Sequence, residues 1–371
     1  MATGYLWHDS FADYDMGVFH PPGAPDVLAH PHIAGPLPVT RMAALVEASG
    51  LLAHLSTLEP VPAGRDDLLR VHGAGYLDRL GALSAASGGD TGDGWSPFGP
   101  GGFAIARLAA GAAITAVEAV LTGTVGNAYA LARPAGHHAG RDAGMGFCML
   151  ATIPVAIERA RALHGVKRVA VVDYDVHHGN GTEGCYASDP DVLTVSVHQD
   201  RLFPADTGFA EHRGTGAGLG AALNIPLPPG CGDGAYTAVL REAVGPAVRR
   251  FAPELIVVAS GFDASAMDPL GRMAVTAAGY GAIAADLVDL AGEVCGGRLV
   301  LVHEGGYSPI YVPYCGLAVL EAMSGHPTGV GDPYAATFAG RPHHAVTPAQ
   351  RDIIRAAATS ARDVPAGLRR R

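Results

Sequence analysis

Alternating polar side chains at the end of one apolar run could bind a metal ion. The motif Asp-Tyr-Asp-Val-His-His-Gly-Asn-Gly, residues 173–181, directly follows the apolar run 169–172. Because residues two apart in an extended strand point to the same face, Asp175 and His177 can reach one ion together. A carboxylate and an imidazole suit a borderline cation such as zinc, and they leave room for a third protein ligand and water. A lone Asp-x-His pair also fits an ordinary polar loop, so the assignment depends on the rest of the chain.

Three further motifs also follow apolar, strand-like runs. They are Arg-Pro-Ala-Gly-His-His at 133–138, Gly-Phe-Asp at 261–263 and Glu-Gly-Gly-Tyr at 304–307. In an open parallel α/β sheet, catalytic groups gather outside the carboxyl ends of the strands. We therefore expect the four motifs to meet in one crevice that contains histidines, carboxylates and a tyrosine.

From about residue 127 onward, apolar strands alternate with amphipathic helices. The strand-like runs lie near 127–132, 168–173, 192–198, 254–260 and 298–303. The clearest helical patterns cover 153–163, 234–251 and 277–294. This alternation indicates right-handed βαβ units and a central parallel sheet with helices on both faces. The first hundred residues and the Gly- and Pro-rich stretch 201–234 are expected to be irregular, and loops of that length usually line or cover a site.

The composition is that of a globular protein. Hydrophobic residues make up 49% of the 371-residue chain and charged residues 16%, which is enough apolar material for a sizeable core. No internal repeat or sharp change in composition divides the chain, so we expect a single catalytic domain at 1–325. A weakly patterned C-terminal tail, 326–371, is expected to pack on this domain or to extend from it.

Net charge, hydropathy and the pattern of cysteines indicate in which compartment the protein is found and which classes of partner it binds. The formal net charge of −10 disfavours a nucleic-acid-binding surface, which is normally basic. The chain lacks a run of eighteen uninterrupted apolar residues that would predict a membrane span, and its N-terminus does not resemble a signal peptide. Five cysteines without close pairs are typical of buried thiols in a reducing cytoplasm. We therefore expect a cytoplasmic protein without nucleic-acid or membrane partners.

Taken together, the four motifs resemble those of the zinc-dependent histone deacetylase superfamily. The chain is most similar to the bacterial class II members, the histone deacetylase-like amidohydrolases, and acetylpolyamine amidohydrolases are nearer relatives than the eukaryotic class I enzymes. The resemblance extends from Gly4 to about Gly325 and includes the segments 88–94, 144–148 and 305–309. It implies an arginase/deacetylase-type α/β fold, one catalytic zinc per chain and removal of acetyl or short acyl groups from amines.

The resemblance also implies a role for each matching residue. The implied zinc ligands are Asp175, His177 and Asp263. The implied catalytic residues are the tandem histidines His137 and His138, the transition-state tyrosine Tyr307, Asp173 behind His137 and Asn180 behind His138. The implied substrate-binding residues are the rim aspartate Asp93, the aromatic tunnel walls Phe147 and Phe203, and the glycines Gly146 and Gly305. A potassium or sodium ion beneath the zinc is implied at Asp173, Ser196 and Val197, with the carbonyl groups of Asp175 and His177.

Elementary chemistry agrees with these roles. Zinc bound by two carboxylates and one imidazole polarises a carbonyl and acidifies water, but it benefits from a separate base. Neutral His138 can take the proton of water and return it to the leaving amine, because the pKa of histidine lies near working pH. Tyr307 can donate its hydroxyl to the oxyanion, and Asp173 can orient and stabilise a charged His137. Because an amide at Asn180 adds no negative charge, His138 is expected to have a lower pKa than an aspartate-backed histidine.

Two other functions stay open, together with the natural substrate. A dimanganese ureohydrolase on the same fold would need an Asp-x-His-x-Asp pattern, whereas this chain has Asp-x-Asp-x-His-His. A catalytically silent acyl-ligand sensor would be expected to lack a metal ligand, a tandem histidine or the tyrosine, and none is missing. Acyl-lysine, acylated polyamines and other acylated small molecules are all possible substrates. The resemblance also implies that the protein is a homo-oligomer. The Met-Leu-Ala-Thr segment at 149–152 departs from close relatives and leaves the acyl preference open.

Overall fold

An eight-stranded parallel sheet forms the centre of the protein in the computed structural model, which describes residues 2–19 and 25–367. The described strands are β1 (Thr3–Leu6), β2 (Val18–Phe19), β3 (His30–Pro31), β4 (Leu55–Thr57), β5 (Gly89–Asp90), β6 (Pro97–Phe98), β7 (Asn127–Ala130), β8 (Val169–Asp173), β9 (Val192–Gln199), β10 (Ala222–Leu227), β11 (Leu255–Ser260) and β12 (Leu299–His303). The sheet order is β10-β9-β8-β11-β12-β7-β1-β4. Outside this sheet, β2 pairs with β3 and β5 pairs with β6, both antiparallel.

Helices lie on both faces of the sheet. The described α-helices are α1 (Leu37–Ala48), α2 (Arg65–Leu68), α3 (Ala74–Ala85), α4 (Gly102–Leu121), α5 (Thr152–His164), α6 (Asn180–Tyr186), α7 (Asp233–Val239), α8 (Gly245–Phe251), α9 (Ala277–Cys295), α10 (Val312–Ser324), α11 (Ala335–Phe338) and α12 (Pro348–Ala361). A π-helical turn at Leu240–Val244 joins α7 to α8, so these two helices form one continuous helical segment.

The strands bury a hydrophobic cluster on each face of the sheet. On β8, Ala170 and Val172 pack in the cluster that contains α9 and α10, whereas Val169 and Val171 pack in the cluster that contains α4 and α5. This alternation is the two-residue period of a strand. Because helices cover both faces of the sheet, the sequences of its strands are continuous apolar runs, as is usual for a parallel sheet.

Helix α4 is long and apolar enough, by length and composition, to cross a membrane. In this fold it is a core helix, because 67% of its most apolar 18-residue window is buried and it packs against β7, β1 and β12. Its apolar character is therefore explained by burial against the sheet.

The five predicted strands are confirmed to within two residues, as β7, β8, β9, β11 and β12. The prediction of irregular structure was wrong at β1, β4 and β10, which belong to the central sheet. Strands β1 and β4 have only four and three residues, too few for a clear periodic pattern. Strand β10 contains Pro226, which lacks an N–H donor and is tolerated there because β10 lies at the sheet edge.

The segment after Gly325 lies against this edge strand. Helix α12 packs against β10 and against the π-helical turn that follows α7. The guanidinium of Arg213, in the loop before β10, donates to the carbonyl oxygen of Ser360 at 2.8 Å. The described part of the C-terminal segment thereby shields one open edge of the sheet.

The sheet order explains where the site forms. Strands β8, β11, β12 and β7, which the four motifs follow, are consecutive neighbours in the sheet. All are parallel, so their carboxyl ends lie at the same edge. The motifs therefore meet above the middle of the sheet, as predicted from the order of strands and motifs along the chain.

Candidate active site and metal centre

Three buried side chains from two neighbouring strand ends converge on one point. Asp175 and His177 follow β8, and Asp263 follows β11. The Nδ1 atom of His177 is 3.0 Å from Asp175 Oδ1 and 3.0 Å from Asp263 Oδ2. Ligands that lie about 2.0 Å from a tetrahedral zinc ion are separated by about 3.3 Å. The spacing of the three donors is therefore close to that of a zinc site.

Backbone N–H groups orient both carboxylates. Asp175 Oδ2 accepts from Gly305 at 2.8 Å, and Asp263 Oδ1 accepts from Val176 at 2.8 Å. Burial and the nearby Asp175 carboxylate raise the pKa of Asp263, because two buried negative charges repel each other. A divalent cation between them would offset this repulsion, so the chemistry of the donor set fits zinc.

Gly305→Ala is expected to disrupt this centre. A Cβ atom at Gly305 would overlap the carboxylate oxygens of both Asp263 and Asp175, so one of them must move. We expect zinc affinity to fall by about tenfold or more, as it does when the support of a metal ligand is lost, measured as zinc per chain after chelator competition. Gly292→Ala, where an added Cβ meets nothing, is the matched control. Full zinc occupancy in Gly305→Ala would contradict the described packing.

The tandem histidines lie beside the triad and have different partners. His137 Nδ1 is 3.0 Å from Asp173 Oδ2, and His138 Nδ1 is 2.7 Å from Asn180 Oδ1. The amide nitrogen of Asn180 instead donates to the sulfur of Met145 at 3.3 Å. Because the amide oxygen can only accept, Nδ1 of His138 carries the proton and its Nε2 has a free lone pair. The structure thus brings each predicted histidine together with its predicted partner.

The two histidines have opposite pKa shifts. Burial lowers the pKa of His137, but the carboxylates of Asp175 and Asp173 outweigh burial and raise it well above its ordinary value. Burial, followed by the charge of the neighbouring His137, lowers the pKa of His138 well below its ordinary value. The hydrogen bond with Asn180 raises the pKa of His138 but does not offset this lowering, and the expected difference from an aspartate-backed histidine stays a prediction. At neutral pH the site therefore favours a cationic His137 beside a neutral His138.

A mainly apolar tunnel of about 380 Å³ leads to these groups. The ring of Phe203 contacts that of His138 edge to face at 5.0 Å, and the ring of Phe147 contacts that of Tyr307 at 5.8 Å. Both predicted aromatic walls thus line the tunnel. Sequence reasoning missed three further apolar walls: Trp95, Leu202 and Leu270. Leu202 directly precedes Phe203 and Trp95 lies two residues after Asp93, whereas no local pattern points to Leu270.

The wall formed by Phe147 depends on an unusual backbone conformation. Gly146 and Phe147 are both left-handed, with φ of +55° and +69°, and a Cβ at Gly146 would overlap the His138 ring. The Gly146 N–H donates to Asp93 Oδ2 at 2.8 Å, and the Phe147 N–H donates to Ser96 Oγ at 2.8 Å. The predicted rim aspartate therefore also supports the loop that carries Phe147. Ser96, which sequence reasoning missed, is part of the same support.

The residues predicted to bind an alkali cation lie on neighbouring strands. Asp173 on β8 pairs with Ser196 on β9, and Ser196 and Val197 are buried. His198 Nε2 donates to the carbonyl oxygen of Gly208 at 2.9 Å, so His198 Nδ1 accepts the Ser196 hydroxyl proton at 2.9 Å. The lone pairs of Ser196 Oγ are therefore free to face a cation. Oxygen donors of this kind suit a hard cation such as potassium or sodium.

Glu304 is a buried residue to which sequence reasoning assigned no role. Its Oε2 atom accepts from the N–H groups of Gly136 at 2.6 Å and of His137 at 3.0 Å, and it thereby supports the histidine loop. Burial raises the pKa of Glu304 to about 7. The sequence could have indicated a role for Glu304, because this carboxylate directly follows the apolar run that forms strand β12.

Comparison with known proteins agrees with this geometry. A family model described as the histone deacetylase domain matches residues 32–323, a range that contains the metal triad, both tandem histidines and Tyr307. The chain belongs to the histone deacetylase family.

Relatives of this family member come from several kingdoms. A histone deacetylase-like amidohydrolase of Pseudomonas aeruginosa is 53% identical over 302 residues, which cover 81% of this chain and 79% of that protein. A probable deacetylase of Archaeoglobus fulgidus is 37% identical over 326 residues, which cover 88% of this chain and 87% of that protein. Among solved structures, the HDA15 HD domain matches 97% of each chain with a TM-score of 0.81 and 29% identity. The predicted deacetylase-type fold is thereby confirmed.

The segment 149–152, at which we expect a departure from close relatives, lies in the hydrophobic core. Met149, Leu150 and Ala151 are fully buried, and the Met149 carbonyl oxygen accepts the Tyr76 hydroxyl at 2.7 Å. Helix α5 begins at Thr152, directly after this segment. The departure therefore concerns packing behind the tunnel and not a wall of the tunnel.

Proposed function

We propose that this histone deacetylase family member is a zinc-dependent amidohydrolase that removes acetyl or short acyl groups from amines in linear substrates. One observation supports this proposal above all others. His177 of the metal triad, the proton acceptor His138 and Tyr307 all line one mainly apolar tunnel, and Asp175 and Asp263 converge on His177. The names of relatives such as the Pseudomonas amidohydrolase agree with this assignment.

The residues around the triad can perform both proton transfers of amide hydrolysis. Zinc bound there would polarise the acyl carbonyl and acidify a water molecule. The free Nε2 atom of His138 takes the proton of the attacking water, because its Nδ1 is committed to Asn180. The same Nε2–H group then protonates the leaving amine. Cationic His137, which is paired with Asp173, stabilises negative charge that develops beside it.

The tunnel favours a linear aliphatic substrate. Its volume of about 380 Å³ lies within the usual range for small-molecule sites, and its aromatic walls Phe147 and Phe203 can bury methylene groups. Asp93 lines the tunnel and can accept a hydrogen bond from a substrate amide. We therefore propose that an acyl-lysine side chain or an acylated polyamine enters the tunnel.

Metal analysis combined with turnover measurements tests the proposal. We expect about one zinc ion per chain and hydrolysis of an acetyl-lysine reporter or an acetylated polyamine, and the ratio of the two rates identifies the preferred substrate class. Two manganese ions per chain with full activity would indicate a ureohydrolase-type enzyme. Tight binding of acetyl-lysine without turnover by the zinc-loaded protein would indicate a sensor.

Tyr307→Phe is expected to lower kcat by about 10²–10³, the usual effect of deleting one oxyanion donor. Burial raises the pKa of the Tyr307 phenol well above its ordinary value, so the hydroxyl stays protonated and can donate. Substrate and hydroxamate binding should change much less, because this interaction forms mainly in the transition state. Steady-state kinetics and inhibitor titration measure both effects.

The matched control for this substitution is Tyr314→Phe. Tyr314 lies on α10, where its ring packs against Tyr334, and this variant should keep the kcat of the unmodified protein. If Tyr307→Phe also kept a near-normal kcat, Tyr307 would merely pack at the end of β12 and would have no part in the reaction.

A further inference from the structure

The carboxylate of Asp268 joins two loops that end beside the tunnel. Its Oδ2 atom accepts the N–H of Tyr307 at 2.7 Å, and its Oδ1 atom accepts the N–H of Leu270 at 2.9 Å. Leu270 is one wall of the tunnel, and Tyr307 is the proposed oxyanion donor. A single side chain in the loop after β11 therefore contacts the backbone at both positions.

The backbone before Tyr307 has the conformational freedom of glycine, so a hydrogen bond to Asp268 helps to fix the position of Tyr307. Two glycines precede Tyr307, and Gly306 has a φ of +132°, a conformation that other residues rarely adopt. Gly305 is anchored by its N–H bond to Asp175, but no hydrogen bond to another described residue fixes the Tyr307 hydroxyl. The ring is otherwise positioned by apolar and aromatic contacts, such as the one with Phe147. The hydrogen bond to Asp268 is thus the direct polar constraint on the position of Tyr307.

Asp268 is itself firmly placed. Its N–H donates to the carbonyl oxygen of Ser265 at 3.2 Å, and the following Pro269 restricts the backbone. Burial raises the pKa of Asp268 to about 6, while its hydrogen bonds with the N–H groups of Tyr307 and Leu270 oppose this rise. At neutral pH both carboxylate oxygens can therefore accept, and hydrogen bonds to an ionised acceptor are stronger than neutral ones.

We infer that Asp268 is a positioning residue that places Tyr307 for oxyanion stabilisation. This inference rests on the proposed function. A shift of about 1 Å in a reacting group can cost up to about 10² in rate. Loss of Asp268 should therefore act on kcat through Tyr307, although Asp268 touches neither the substrate nor the metal triad.

A double-mutant cycle tests this coupling. Asp268→Ala and Asp268→Asn are made in the unmodified protein and in Tyr307→Phe, and kcat and KM are measured with an acetyl-lysine reporter. We expect Asp268→Ala alone to lower kcat by about 10- to 100-fold, with KM changed by less than about threefold. In the Tyr307→Phe background the same change should lower kcat by less than about threefold, because the group that it positions is already absent.

The Asp268→Asn variant separates positioning from folding. Its amide oxygen can accept only one of the two N–H groups and its NH₂ group faces the other, so its kcat should lie between those of the alanine variant and the unmodified protein. Asp289→Ala, an exposed residue on α9, is the matched control and should leave kcat unchanged. Thermal unfolding of every variant shows whether the fold is intact.

The outcomes distinguish this inference from the proposed function. An equal loss of kcat in both backgrounds, or no loss from either Asp268 variant, would overturn the role of Asp268 and leave the proposed function in place. Absence of turnover by the unmodified, zinc-loaded protein would instead overturn the proposed function. A loss of kcat from Asp268→Ala that largely disappears in the Tyr307→Phe background, with the melting temperature retained, supports Asp268 as a positioning residue.

Discussion

His177→Ala and Asp263→Ala are each expected to abolish turnover and to lose the bound zinc. Each change removes one of the three proposed zinc ligands, and the remaining two donors would bind zinc far more weakly. His177→Ala also leaves the Asp263 carboxylate, and Asp263→Ala the His177 ring, without the partner that each now faces at 3.0 Å. Zinc content per chain and turnover of an acetyl-lysine reporter should fall together, to below about a tenth of the values of the unmodified protein.

Exposed residues of the same types provide matched controls. His326→Ala and Asp289→Ala replace side chains on the surface and should keep one zinc ion per chain and full turnover. If His177→Ala or Asp263→Ala retained stoichiometric zinc, the ion would have to bind elsewhere. Full activity with two manganese ions per chain would reject the zinc site altogether.

His138→Ala should reduce kcat more severely than His137→Ala while zinc stays bound. Of the two tandem histidines, His138 combines a free Nε2 atom with a lowered pKa, so it is the one placed to accept the proton of water and return it to the amine. General acid–base groups contribute about 10²–10⁴ to the rate, and we expect a loss at the upper end for His138. Loss of His137 removes a nearby positive charge, and we expect a smaller reduction in kcat.

The ranking of the two histidine variants decides their roles. Zinc analysis of both variants is the control, because neither ring is one of the three converging donors and both variants should remain loaded. A larger loss for His137→Ala than for His138→Ala would reverse the assignment. Equal losses would indicate that the two rings act as one unit, and the proton could then not be assigned to His138.

Much of this protein could be predicted from its sequence, because the groups that carry the chemistry directly follow strong apolar strands. Asp175 and His177 are two residues apart after β8, and Asp263 and Tyr307 follow β11 and β12 within four residues. Strands of this kind are recognised by their apolar runs, and a parallel sheet places their carboxyl ends together. Strands β1 and β4 are too short to show such runs, and Pro226 interrupts β10, so the prediction was wrong there.

The supporting contacts were decided only by the tertiary structure. Asp268 reaches the N–H of Tyr307 across 39 residues of chain, Asp93 reaches that of Gly146 across 53, and Gly305 reaches Asp175 across 130. No local pattern encodes these pairs, because each depends on how loops from different strands approach one another after the sheet has formed. The sequence by itself determined which groups could do chemistry and on which strand ends they lie. The packing of the loops determined how those groups are oriented, how their pKa values shift and which further residues support them.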